Sequence, residues 1–200
     1  VSLDYIHHIG AYIARKQPDI IIQIGDWFDN AALSSYDRGQ LSAEGKRLSA
    51  DIKAGNDAIR ILDEYITSVV GYNPRKVITL GNHEDRIQRF VNENPALEGF
   101  LGNHLYDFEQ YDWEVYDFLT PCIIEGIAFV HYVVAVNTGK PLGNALAGRL
   151  EKVGTSFVMG HQQTFAYHER SLQLTGDMQM ALVVGACYSH DESYKGVQGN

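Results

Sequence analysis

Long hydrophobic runs are missing from this chain of 200 residues: no stretch approaches the roughly 20 unbroken apolar residues of a membrane span. The first residues also lack the basic-then-apolar order of a signal peptide, so the sequence predicts a soluble, cytoplasmic protein with no membrane partner. Cysteine is scarce. Cys122 and Cys187 are too few and too far apart for a disulfide framework or a zinc knuckle, and their apolar neighbours predict two buried free thiols. Positive charge is short too: 16 Lys and Arg face 25 Asp and Glu, for a net charge of −9. That balance argues against a broad electrostatic grip on DNA or RNA, while leaving open a nucleic-acid substrate drawn in by bound cations. What is there, 45% hydrophobic and 20% charged residues, suffices for one ordinary domain with a full core, read here as residues 1–200.

The chain alternates helix and strand. Leu3, Ile6, Gly10, Ile13 and Ala14 fall at helical spacing, and Pro18-Asp19 turns the chain into the β-branched run Ile20-Ile21-Ile22-Gln23-Ile24. The order repeats with a long helix from Leu48 to Val69, a stop at Asn73-Pro74, and a strand Val77-Ile78-Thr79-Leu80. A further helix follows through Ile87, Phe90 and Val91. Residues 95–120, rich in aromatic and acidic side chains, read as a cap or surface segment. Beyond them, Ile123-Ile124-Glu125-Gly126 turns into the strand Ile127–Val130, a short helix carries Leu146 and Leu150, and Ser156–Met159 forms another strand. The tail to Val184 reads as antiparallel strands joined at Gly176-Asp177. Parallel units first and hairpins later predict an α/β fold of two packed sheets with helices outside.

Four of the apolar runs end in side chains that bind metals: Gly25-Asp26-Trp27-Phe28-Asp29, Gly81-Asn82-His83-Glu84, His131, and Gly160-His161-Gln162-Gln163. Residues just past the carboxyl ends of parallel strands gather on one edge of a sheet, so these clusters converge in one crevice and predict a metal-dependent hydrolase. Asp26 can offer one oxygen to each of two cations and reads as a bridging ligand, with Asp29 orienting its neighbours. Asn82 supplies a hard, uncharged oxygen, while His83, pointing elsewhere, is a candidate proton donor. Glu84 either orients His83 or stabilises the turn. His131 and His161 complete a four-ligand set, and neutral imidazoles suit zinc, iron, manganese or nickel. Tyr132 and the Lys140-Pro141 loop read as part of a substrate wall. Arg86, Arg89 and His168 are candidate phosphate contacts; His7, His8, His104 and His190 read as ordinary surface or core histidines.

The order of these motifs resembles the calcineurin-like metallophosphoesterase superfamily, whose pattern is D-x-H, G-D-x-x-D, G-N-H-[DE], a single His, and G-H-x-H. The match runs from about Ile20 to Gln163, and the texture around Gly81–Ile87 and Gly185–Tyr188 is similar to small phosphoesterases of phages and prophages, for which the location would be the host-cell cytoplasm. The resemblance implies a four-layer α/β/β/α sandwich of two mixed sheets flanked by helices, and two divalent metal ions, manganese first, with iron, zinc, nickel or magnesium as alternatives. It implies that Asp26 bridges them, that Asn82, His131 and His161 complete one site, and that His83 protonates the leaving oxygen. Two departures stand out. Asp4-Tyr5-Ile6-His7 has the wrong spacing for D-x-H, which predicts that the natural protein begins upstream of Val1 and continues past Asn200. Gln163 stands at the family's last histidine, so it either ligates a harder, weaker site or binds nothing. The implied activity is hydrolysis of a phosphate ester, as a phosphodiesterase, phosphatase or nuclease acting on a nucleotide or nucleic acid. The alternatives are a catalytically weak scaffold on the same fold and, less favoured, a nucleic-acid-binding module.

Overall fold

The computed structural model describes residues 3–187 apart from 36–38, 40, 42–43 and 144. Helix α1 (Asp4–Lys16) ends where Gln17 takes a left-handed conformation and returns its N–H to the Ile13 carbonyl, just ahead of Pro18. Strand β1 (Ile20–Gln23) follows, then helix α2 (Leu48–Thr67), strand β2 (Arg75–Thr79) and helix α3 (Asp85–Glu93). Strand β3 (Trp113–Tyr116) completes a parallel sheet in the order β1-β2-β3.

The second half forms a mixed sheet. Strands β4 (Cys122–Ile124) and β5 (Ile127–Val130) make a hairpin, helix α4 (Leu146–Val153) carries the chain to β6 (Phe157–Met159), and β7 (Phe165–Ser171) and β8 (Met178–Val184) form the closing hairpin. The order is β4-β5-β6-β8-β7, with β5, β6 and β8 parallel and the outer pairs antiparallel.

Alternation along the strands creates the layers, because successive side chains leave opposite faces of a sheet. Ile21 and Ile78 face the helices, where Ile6, Ile13, Ile59, Leu62 and Ile66 bury the apolar stripes of α1 and α2. Ile20, Ile22 and Val77 point the other way and meet Cys122, Ile124 and Phe129 of the second sheet. On the far side Ala128, Phe157, Met159, Ala181 and Val183 pack against Leu150 of α4. The result is the α/β/β/α order predicted above. Each fully buried branched side chain contributes on the order of 1.5–3 kcal/mol. Lys76 shares the helix-facing side of β2 and is 7% exposed, a position it can hold because Asp63 of α2 takes its ammonium at 3.0 Å.

Two sequence expectations fail in part. Residues 95–120 are a surface segment only in part: Phe100 is exposed, but Tyr106, Phe108 and Trp113 are buried, and Phe28 stacks on Tyr106 with ring centroids 4.2 Å apart. Their segment also supplies β3, and acidic residues between the aromatics hide its alternation. Only Cys122 is a buried thiol, because Cys187 lies past β8 and is exposed. The hairpin β7–β8 leaves Phe165, Tyr167, Met178 and Val184 exposed on the face away from α4.

Candidate metal centre

The ends of β1, β2, β5 and β6 lie together at one edge of the sandwich. Gly25 (φ +77°) and Gly81 lie back to back there, and a Cβ on either would strike the other's backbone or the Asp26 side chain. That contact is what lets two strand ends from separate units approach so closely. Asp26 (φ 58°) and His161 (φ 64°) both hold left-handed backbones, which cost non-glycine residues free energy and cluster where function over-determines geometry.

Four electron-pair donors converge from these ends. His131 Nδ1 lies 2.8 Å from the Ile24 carbonyl, which can only accept, so Nδ1 carries the proton and Nε2 presents a lone pair. That Nε2 faces Asn82 Oδ1 at 2.9 Å, His161 Nδ1 at 3.2 Å and Asp26 Oδ2 at 3.4 Å, and His161 Nδ1 is 2.8 Å from the same Asn82 oxygen. Lone pairs repel at such distances unless a proton or a cation lies among them. One carboxylate, one amide oxygen and two imidazoles form a mixed nitrogen and oxygen set that fits a divalent transition metal.

The titrations follow from this crowding. Burial pushes the Asp26 carboxyl up, but without a cation a second proton on His131 takes its place at Nε2, and that ring's hydrogen bond and charge, with further help from His83, outweigh burial and hold Asp26 at about 2. Burial lowers His131, yet its contact with Asp26 wins and raises the ring above its ordinary value. For His161, partial desolvation and the neighbouring His131 charge outweigh the opposing pull of Asp26, and the ring is lowered.

His83 points away from the four donors, although its N–H donates to Asp26 Oδ1 at 3.1 Å. Its ring Nδ1 meets Asp29 Oδ1 at 2.9 Å, and Nε2 lies 3.1 Å from the Arg86 guanidinium. The His83 hydrogen bond is the main reason that the Asp29 carboxyl is held below its ordinary value. Arg86 also donates to the Asp29 carbonyl at 2.6 Å, so the three side chains form one chain of contacts. Glu84 leaves His83 alone and accepts the backbone N–H groups of Gly81 (2.7 Å), Phe28 (2.7 Å) and Asp26 (2.9 Å). It is fully buried, and burial with the nearby Asp26 charge pushes its carboxyl up against those three donors.

The profile of the calcineurin-like phosphoesterase family matches residues 2–185. The chain belongs to that family. No curated protein matches it. Metal-dependent hydrolysis of phosphate esters is the chemistry the family brings, and the donor set at the strand ends is a candidate metal-binding group for it.

Set against the family's chemistry, the candidate residues divide. Asp26, Asn82, His131 and His161 come together, and Asp29 and Arg86 gather around His83. Gln163 lies two residues past His161 on the way into β7, half-buried, and the four donors meet one another without it. His168 is not brought in: it sits opposite Ala181 on β7, which β8 separates from β6. The reason is register, since each step along β7 carries the chain away from the strand ends. Arg89 donates to the Asn82 carbonyl at 2.8 Å and pairs with Asp85 at 3.0 Å, near the cluster. His190 lies outside the described residues.

Sequence reasoning missed Asn30 and Tyr106. The buried Asn30 amide donates to the His83 carbonyl at 3.0 Å and to the Tyr106 hydroxyl at 2.8 Å, and that hydroxyl donates to the Glu84 carbonyl at 3.1 Å. Together they clamp the turn that carries His83. Adjacency to Asp29 was the only signal for Asn30; Tyr106 left none. Asn30→Ala should cost about 2–3 kcal/mol, combining the buried carbonyl and hydroxyl left without their donor with the strain of alanine at φ 47°. Urea unfolding measures this, and a loss below about 0.5 kcal/mol, the scale of an ordinary surface change, would contradict the clamp.

Proposed function

We propose that this chain is a phosphoesterase in which Asp26, Asn82, His131 and His161 hold a divalent cation, manganese first, and His83 protonates the leaving oxygen. The observation that supports it is the convergence of four lone-pair donors, with the His131 tautomer determined by the Ile24 carbonyl. A cation bound there would supply charge neutralisation for phosphoryl oxygens and acidify water for attack at phosphorus. A second cation sharing Asp26 and reaching Gln163 belongs to the same proposal.

The chain's own groups do the rest. Glu84 and the Gly25–Gly81 contact set the two turns so that Asp26 and Asn82 face the histidines. His83 gives up a proton from Nε2 to the departing oxygen once substrate has drawn Arg86 off that nitrogen, while Asp29 at Nδ1 orients the ring. Arg86, at the same Nε2, meets the phosphoryl oxygen that arrives there.

His83→Ala tests the assignment. Turnover should fall by about 10²–10⁴, the usual contribution of positioned proton transfer, with metal content unchanged. Equal loss of metal would make His83 a ligand instead. The wider reading is tested by metal analysis, then assays with manganese on a monoester, a diester and single-stranded DNA. Full metal occupancy without turnover on any of them would point to a scaffold.

A further inference from the structure

Beside the four donors lies a cavity of about 200 Å³ that opens between the ends of β5 and β6. His161 is part of its wall, so it is continuous with the candidate metal centre. Tyr132 stands at the junction, its ring centroid 4.7 Å from that of His161. Val133, Leu142 and Met159 give its lining apolar surface, and Arg149 and Gln162 give it polar groups, with the Arg149 guanidinium 3.4 Å from the Met159 sulfur.

The walls are held in place by the chain itself. Residues 133–142 fold back on themselves, with Leu142 N–H donating to the Val133 carbonyl at 3.1 Å and Ala135 N–H to the Lys140 carbonyl at 2.9 Å. Arg149, only 4% exposed on α4, ties this flap down through the Gly143 carbonyl at 2.7 Å. The same guanidinium reaches Gln162 Oε1 at 3.0 Å, which anchors the turn after His161. Flap, helix and the turn that carries His161 therefore share one buried arginine.

We propose that this cavity receives the nucleobase of a nucleotide whose phosphate lies at the four donors, an inference that rests on the phosphoesterase reading above. Size and wall chemistry select the class. The volume is below the roughly 300–1,000 Å³ of pockets that enclose drug-sized ligands, so it takes one ring system. A flat group with apolar faces and a hydrogen-bonding edge matches a lining that mixes Val133, Leu142 and Met159 with a guanidinium and a carboxamide, beside a tyrosine ring to stack on. An acyl chain would leave Arg149 and Gln162 facing hydrocarbon.

The test compares two diesters with one leaving group, thymidine 5′-p-nitrophenyl phosphate and methyl p-nitrophenyl phosphate, hydrolysed with manganese. The thymidine ester should be favoured in kcat/KM by about tenfold or more, the scale of stacking one base. Leu142→Trp, which fills the cavity, should bring that ratio toward one. A second measurement needs no turnover: thymidine alone should bind the chelator-treated protein, shifting the Met159 methyl resonance, and Leu142→Trp should abolish the shift. Equal hydrolysis of both diesters with no thymidine shift would overturn the pocket and leave the phosphoesterase reading standing. Thymidine binding without turnover of either diester would do the reverse. If Leu142→Trp fails to fold, the parent decides the matter: where the diesters are turned over, absence of either the ester preference or the thymidine shift overturns the proposal.

Discussion

Replacing Asp26 with asparagine should cost about a hundredfold or more in metal affinity and abolish metal-dependent hydrolysis. Changing a group that merely supports a ligand typically costs 10–100-fold, and Asp26 is the carboxylate of the donor set itself. The substitution keeps the shape and the acceptor for the His83 N–H, so the turn survives while its negative charge is gone. Metal analysis after dialysis, beside activity, provides the check; a variant that keeps its full metal content would sink the assignment. The chelated protein gives a second readout. Asp26, depressed to about 2, adds stability that is fully present above its ordinary 3.8 and is lost as pH falls toward that lower value. His131, raised, adds stability that is fully present below its ordinary 6.5 and is lost as pH rises through its folded value. The pair therefore helps most between pH 3.8 and 6.5, and Asp26→Asn should flatten the curve of stability against pH across that window.

Glu84→Ala should be the most destabilising single change at this edge, by about 3–5 kcal/mol, the cost of removing one partner from a buried charged network. Three buried backbone N–H groups, from Gly81, Asp26 and Phe28, lose their acceptor together. For a domain of this size that corresponds to a fall in Tm of roughly 10 °C. Metal affinity should drop as well, since the two turns positioned by Glu84 carry Asp26 and Asn82. Glu84→Gln should recover little, because a carboxamide has one oxygen for three donors and turns an N–H toward another N–H. A Glu84→Ala protein melting within about 2 °C of the parent would fall below even 1 kcal/mol on the same scale and show the network to be dispensable. The two variants separate cleanly: one loses the cation and keeps the fold, the other loosens both.

Much of this was legible beforehand. The β-branched runs before Gly25 and Gly81 became parallel strands, and the residues after them met the two histidines that follow β5 and β6. The parts that were not legible share a cause. For Glu84, the sequence allowed two roles, and the choice was made by backbone groups up to 58 residues away. Residues 95–120 concealed β3 and half of an aromatic core, because acidic residues mask the alternation and the partner Phe28 lies far upstream. His168 looked close to the centre by numbering, yet a strand carried it off.

By itself the sequence determined the elements other than β3 and which side chains stand at their ends, since strand period, turn residues and metal-binding chemistry are all local properties. Only the tertiary structure decided which of those side chains face one another. It assigned Asp29 to His83 and Glu84 to the turns, joined Asn30 to Tyr106, and set Arg149 beneath a cavity next to His161. Such pairings depend on how whole layers stack and in what register, and no spacing along the chain encodes them.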